Sequence, residues 1–211
     1  STKSVLLCAV YFPPDGSKCN VGKQNVFEIL QDDIRLFKDV YPIIICGDFN
    51  SRTRIESDFI QCFDGTDNPT ESLELKYDVF PQNFNLPRKS VDSAPVNRYG
   101  RLLIDLCISS DVRMLNGRIF NDKIGDYTRV GTTGSSLVDY ILVDSKMAKL
   151  ISNFGIGQSV PESDHRPLCV EFLFPHCYIN NVSDTGQTLF KYMWKQENLT
   201  DLEGSDRKSV V

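Results

Sequence analysis

The 211-residue chain contains no run of about 18 apolar residues, so no membrane-spanning helix is expected. The apolar stretch Val5–Val10 is too short, and too soon followed by Pro13-Pro14, to be a secretory signal. There is no Cys-x-x-Cys pair, and the seven cysteines (8, 19, 46, 62, 107, 169 and 177) are odd in number. Cys8, Cys46, Cys107 and Cys169 sit inside apolar runs, which points to buried free thiols in a reducing, intracellular compartment. With only His165 and His176, a His-rich zinc site cannot be assembled. Basic excess is also missing: 23 Lys and Arg against 28 Asp and Glu leave a net charge of −5. That excludes coating a nucleic acid by bulk electrostatics. It leaves open a nuclease, whose metal site is itself built from carboxylates, but such a protein must meet a polyanion through a cation or local arginines.

What is present is enough apolar material, 41% of residues, for a core. Residues 4–12 read as a buried strand ended by Pro13-Pro14-Asp15-Gly16. From Gly22 to Val40 the apolar period becomes helical, with Val26, Ile29, Leu30, Ile34 and Phe37 on one stripe. Ile43-Ile44-Ile45-Cys46 is a strand buried on both faces. Residues 51–96 read as long loops with short helical pieces. A helix over 100–108 buries Leu102, Leu103, Leu106 and Cys107. Strands follow at 113–116, 126–130 and 136–143, with a turn at Gly131–Gly134. A short helix over 145–151, a strand near Ile156 and a last strand over 168–174 complete the order. Residues 175–211 turn polar and read as a linker or tail, with one short helix around 191–194. The pattern implies an α+β domain over 1–174: two mostly antiparallel sheets face to face with helices outside.

Three segments carry chemistry, each at the end of an apolar strand. In Gly47-Asp48-Phe49-Asn50, extended geometry points Asp48 and Asn50 the same way, so that a carboxylate and an amide could orient a water and hold a phosphate oxygen. Alone, the same four residues also describe a turn closing a strand. Asp139 lies among apolar strand residues, where a buried carboxylate needs a partner; a solvent-facing position on a half-exposed strand is the alternative. In Ser163-Asp164-His165, a charged His165 could donate to a phosphate oxygen and Asp164 could serve a hard cation. An isolated exposed loop histidine is the alternative there.

The ordered set, Tyr11-x-Pro, Gly-Asp-x-Asn, apolar-Asp139-Tyr and Ser-Asp-His-x-Pro, resembles the endonuclease/exonuclease/phosphatase family. The segments Asn97-Arg98-Tyr99-Gly100-Arg101-Leu102-Leu103 and Leu115-Asn116-Gly117-Arg118 are similar to its branch in non-LTR (LINE-type) retrotransposons. The resemblance covers roughly residues 5–174. It implies a four-layer αββα sandwich and Mg²⁺-assisted hydrolysis of a phosphodiester, with Mn²⁺ as the other cation. It implies that Tyr11 contacts the scissile phosphate, that Asp48 activates water, and that Asn50 holds phosphate or metal-bound oxygen. It further implies that Asp139 pairs with His165, that His165 stabilises charge on the phosphate, and that Asp164 lies at or beside the metal. Thr128, Arg52 and Arg129 are the substrate-binding candidates. DNA is the implied partner, through its phosphate backbone, with action in the nucleus and a reverse transcriptase in the same chain beyond residue 211. The family's upstream Asn and metal-binding Glu have no counterpart here, since Glu28 and Glu56 fall in the wrong places. The expectation is therefore a domain lacking its N-terminal part, weakly active or inactive and marginally stable by itself. A phosphodiesterase of the same fold acting on another substrate, and a non-catalytic remnant, are the competing readings.

Overall fold

The computed structural model describes residues 4–17, 25–60 and 80–173. The readings placed on 61–79 and 175–211, including the polar tail and its short helix, lie outside those residues. The described elements run β1 (Leu6–Tyr11), α1 (Val26–Phe37), β2 (Ile43–Asp48), α2 (Arg98–Ser110), β3 (Arg113–Met114), β4 (Arg129–Gly131), β5 (Gly134–Ser136), β6 (Asp139–Val143), α3 (Ser145–Ala148), β7 (Ile151–Ile156) and β8 (Leu168–Phe172). A 3-10 turn at Gln82–Asn85 is the helical piece within the loop-rich region.

The fold is α+β. Its main sheet has the order β1-β2-β6-β3, with β1 parallel to β2 and the other pairs antiparallel. Strand periodicity sends alternate side chains to opposite faces. One face, carrying Ile43, Ile45, Tyr140, Leu142 and Met114, packs on α1 and α2 through Phe27, Leu30, Ile34, Leu103 and Leu106. The other, carrying Ile44, Ile141 and Val143, packs on β7 and β8 through Phe154, Leu168, Val170 and Phe172. Two sheets thus lie face to face with helices outside the first. The small β4–β5 hairpin is attached through a bridge between Arg129 and His165.

Several expectations need correction. β1 is not fully buried: Leu6, Cys8 and Val10 pack on the helix-side core, while the opposite face leaves Leu7 59% and Tyr11 68% exposed. Helix α1 starts at Val26, where Asn25 caps it by accepting from the Phe27 amide, and Phe27 rather than Ile29 faces the core. The run 136–143 is not one strand. It breaks at Leu137-Val138, so that β5 and β6 serve different sheets. Cys169 is exposed because β8 also alternates, whereas Cys107 is buried and Cys8 and Cys46 are half-buried.

Gly47 explains the first residue of the Gly-Asp-x-Asn motif. A Cβ there would stand 1.9 Å from the carbonyl oxygen of Val10, so a side chain would force β1 away from β2.

Candidate active site

The register of the main sheet builds the site. Tyr11 is the Cα partner of Asp48, and Asp48 of Asp139, so the three lie in one row across β1, β2 and β6 at one end of the sheet. The row faces the side covered by β8, and the loop entering β8 brings in His165. Ring atom Nδ1 of His165 lies 2.9 and 3.0 Å from the two Asp139 oxygens. Since a carboxylate only accepts, Nδ1–H is the donor and Nε2 is left as the free ring nitrogen. Ligand atoms of Asp48, Asp139 and His165 all fall within 4.8 Å of one another.

Asp48 is held by its neighbour two residues on. The Asn50 backbone N–H donates to Oδ1 at 2.8 Å and Nδ2 donates to Oδ2 at 3.0 Å. Nδ2 also donates to the Phe12 carbonyl at 2.8 Å, which fixes the amide and leaves its oxygen as the spare acceptor. Asn50 sits at φ 48°, a left-handed conformation costing about 1–3 kcal/mol that persists only when surroundings enforce it. Burial pushes the Asp48 carboxyl above the ordinary range, against the lowering effects of the Asn50 hydrogen bonds, His165 and Arg129. Burial likewise raises Asp139, helped by the Asp48 charge and opposed by Thr128 and His165.

Thr128 was expected to touch substrate, and its placement corrects that. It is fully buried, and its Oγ1 accepts from the amides of Val138 and Asp139 at 3.1 and 3.0 Å. It breaks the 136–143 run by taking those amides out of the ladder, and it seats Asp139. Arg166 secures the loop of His165: its amide donates to the Thr128 carbonyl, and its guanidinium to Asp126, the Tyr127 carbonyl and the Gly157 carbonyl. Arg129 and Asp164, expected at substrate and metal, form a half-exposed ion pair at 2.8 Å. Arg129 still contributes positive potential at Asp48. Arg52 is bound to buried Asp92 at 2.8 and 3.1 Å. Tyr11 lies beside Asp48 in the sheet and is largely exposed. The site opens onto an apolar groove of about 430 Å³ lined by Leu7, Ile44, Cys46, Leu168 and Val170.

Other residues shape the site without having been singled out from sequence. Asp92 ties Arg52 to the Leu137 amide. The Tyr140 hydroxyl, buried and pushed up to about 12 mainly by burial, bonds the carbonyls of Ser51 and Leu137. These two residues join the loop after Asp48 to the chain entering Asp139. Their signal in the sequence was only a polar group inside an apolar context, with partners far along the chain.

Two carboxylates, both disfavoured as anions by burial, beside an amide oxygen and an imidazole, suit a hard divalent cation that keeps several waters of its own. The carboxylates are the hard ligands of this set, and the imidazole is already engaged with Asp139.

No family model and no curated protein matches the chain. Solved structures similar to it include two of one protein. They are a 3'-5' exonuclease, NExo, from Neisseria meningitidis (15% identity, TM-score 0.42) and the 3' phosphatase NExo from Neisseria bound to a product DNA hairpin (16% identity, TM-score 0.41). Each match covers 70% of this chain and 52% of the other, so the chain spans about half the length of the structures it matches.

Proposed function

We propose that this site hydrolyses phosphodiesters with the help of a divalent cation, and that the substrate is DNA, nicked within a strand. The observation that carries the reading is the row Asp48–Asp139 with His165 anchored through Nδ1 on Asp139. Asp48, raised by burial, is the base that takes a proton from the attacking water. The water oxygen bonds to phosphorus, the ester bond on the opposite side breaks, and the departing oxygen takes a proton from solvent water and leaves as an alcohol. His165, its ring oriented by the Nδ1–Asp139 hydrogen bond, presents Nε2 to the phosphate and, when protonated there, donates to a non-bridging phosphate oxygen as charge builds. Asn50 offers its amide oxygen to orient the water, and Tyr11 lies beside Asp48 in the sheet. A Mg²⁺ or Mn²⁺ ion held by Asp48 and Asp139 would supply Lewis-acid charge neutralisation.

The finer reading, an endonuclease domain of a LINE-type retroelement acting on genomic DNA in the nucleus, is supported by the segments 97–103 and 115–118 that are similar to that branch. The test is nicking of supercoiled plasmid in Mg²⁺. The expected result is open-circular product, with Asp48→Ala and His165→Ala each reducing the rate by about 100-fold or more. Nicking that survives both changes refutes the site. Phosphate release from small esters with plasmid left intact reassigns the substrate.

A further inference from the structure

The segment that opens α2, Asn97-Arg98-Tyr99-Gly100, has no part in the chemistry just described, yet Asn97 touches the loop after Asp48 through its backbone N–H and both polar atoms of its side chain. The Asn97 Oδ1 accepts from the Gly100 amide at 2.6 Å, which caps the helix. The same oxygen accepts from the Arg52 amide at 3.0 Å, and Nδ2 donates to the Asn50 carbonyl at 2.9 Å. The Asn97 amide itself donates to the Arg52 carbonyl at 3.3 Å. Gly100 permits this approach: a Cβ there would stand 1.9 Å from the Arg52 carbonyl oxygen.

We propose that Asn97 is a positioning residue for Asn50, clamping the turn Asn50–Arg52 onto the first turn of α2. Capping alone does not require asparagine, because Asp and Ser cap about as well. What the amide adds is the donor aimed at the Asn50 carbonyl. That bond fixes the peptide after Asn50 while Asp48 and Phe12 fix its amide and side chain. Together they hold Asn50 at φ 48°. Since Asn50 donates to both oxygens of Asp48, the aim of the base is set from α2, 47 residues further along the chain.

The inference rests on the nuclease reading for its kinetic arm, and has a second arm that does not. Asn97→Asp keeps the cap and removes the donor; Asn97→Ser keeps the cap without charge and is too short to reach Asn50. Asn25→Ser, at the cap of α1, is the control. Both Asn97 variants keep a capping oxygen and lose the bond to the Asn50 carbonyl, worth about 1–3 kcal/mol, so both should stay folded and melt about 2–12 °C below the unsubstituted chain. Both should shift or broaden the Asn50 side-chain amide signals in ¹⁵N NMR, assigned by their disappearance in Asn50→Asp. The kcat for nicking should fall about 10–100-fold with KM little changed, as for other supports of a catalytic group. The control should change neither. Asn50 signals that stay put in both Asn97 variants, or a loss confined to the charged one, overturn the clamp. A chain that nicks no DNA at all refutes the nuclease reading, and the NMR arm still decides the clamp.

Discussion

Thr128 offers the sharpest check on how the site is held, because its hydroxyl is fully buried at the point where β5 gives way to β6. Thr128→Val keeps the volume and deletes the oxygen that accepts from Val138 and Asp139. Each buried N–H left without an acceptor costs about 1–3 kcal/mol, so the pair costs about 2–6 kcal/mol. For a domain of this size each kcal/mol lowers Tm by about 2–4 °C, giving a fall of about 4–24 °C. Thr128→Ser keeps the oxygen and loses one methyl, worth about 0.5–1.5 kcal/mol. Thermal unfolding followed by circular dichroism at pH 7 should therefore order the melting points as wild type, then serine, then valine. The hydroxyl also bonds Asp139 and pulls its raised pKa back down. Without it, Asp139 titrates higher, and the acid limb of the nicking rate should move to higher pH in the valine variant alone. A valine variant that melts with the wild type, or a serine variant as unstable as the valine one, would refute this account.

Asp58→Ala should be severely destabilising. It strips buried Arg118 of a bidentate partner at 2.6 and 3.2 Å and the Met114 amide of its acceptor. Breaking such a pair costs about 3–5 kcal/mol, readable as a fall of about 6–20 °C in Tm. Burial pushes Asp58 up, but Arg118 outweighs it and the carboxyl lies below its ordinary value. The stabilisation is therefore present above an unfolded pKa of about 3.9 and is lost as pH falls through the folded one, so the gap to wild type should close in acid. Asp48→Asn should do the opposite. Burial holds Asp48 above its ordinary value, so its favourable contribution is present below about pH 3.9 and is lost as pH rises through the folded pKa. The variant should melt above wild type at pH 7, converge with it near pH 4, and nick no DNA; a lower Tm at pH 7 would show that the Asn50 hydrogen bonds outweigh burial.

The residues that form the row were legible because a strand ends audibly in sequence. A continuous apolar run, Ile43-Ile44-Ile45-Cys46, stops at Gly47-Asp48, a lone carboxylate, Asp139, interrupts another, and a proline-punctuated loop holds His165. What could not be read was whether the three met, since a register is a relation between strands and 91 residues separate Asp48 from Asp139. Side-chain bonds that cross the fold were hidden for the same reason. Asn97, Asp92 and Tyr140 act on partners 40 to 89 residues away, and nothing local distinguishes them from a helix cap, a loop carboxylate and a core aromatic. Thr128, a substrate-binding candidate by family resemblance, is instead buried and captures the amides of Val138 and Asp139, a role that only the tertiary fold reveals. Exposure misled at β1 too: an uninterrupted apolar run predicts burial, but only the face carrying Leu6, Cys8 and Val10 packs on the core, and Leu7 and Tyr11 on the opposite face stay exposed. The chemical groups of a site are thus written locally and can be picked out one at a time. The groups that aim them are chosen by the tertiary fold, so Asn97 is informative only once Asn50 is known to lie 2.9 Å from its amide.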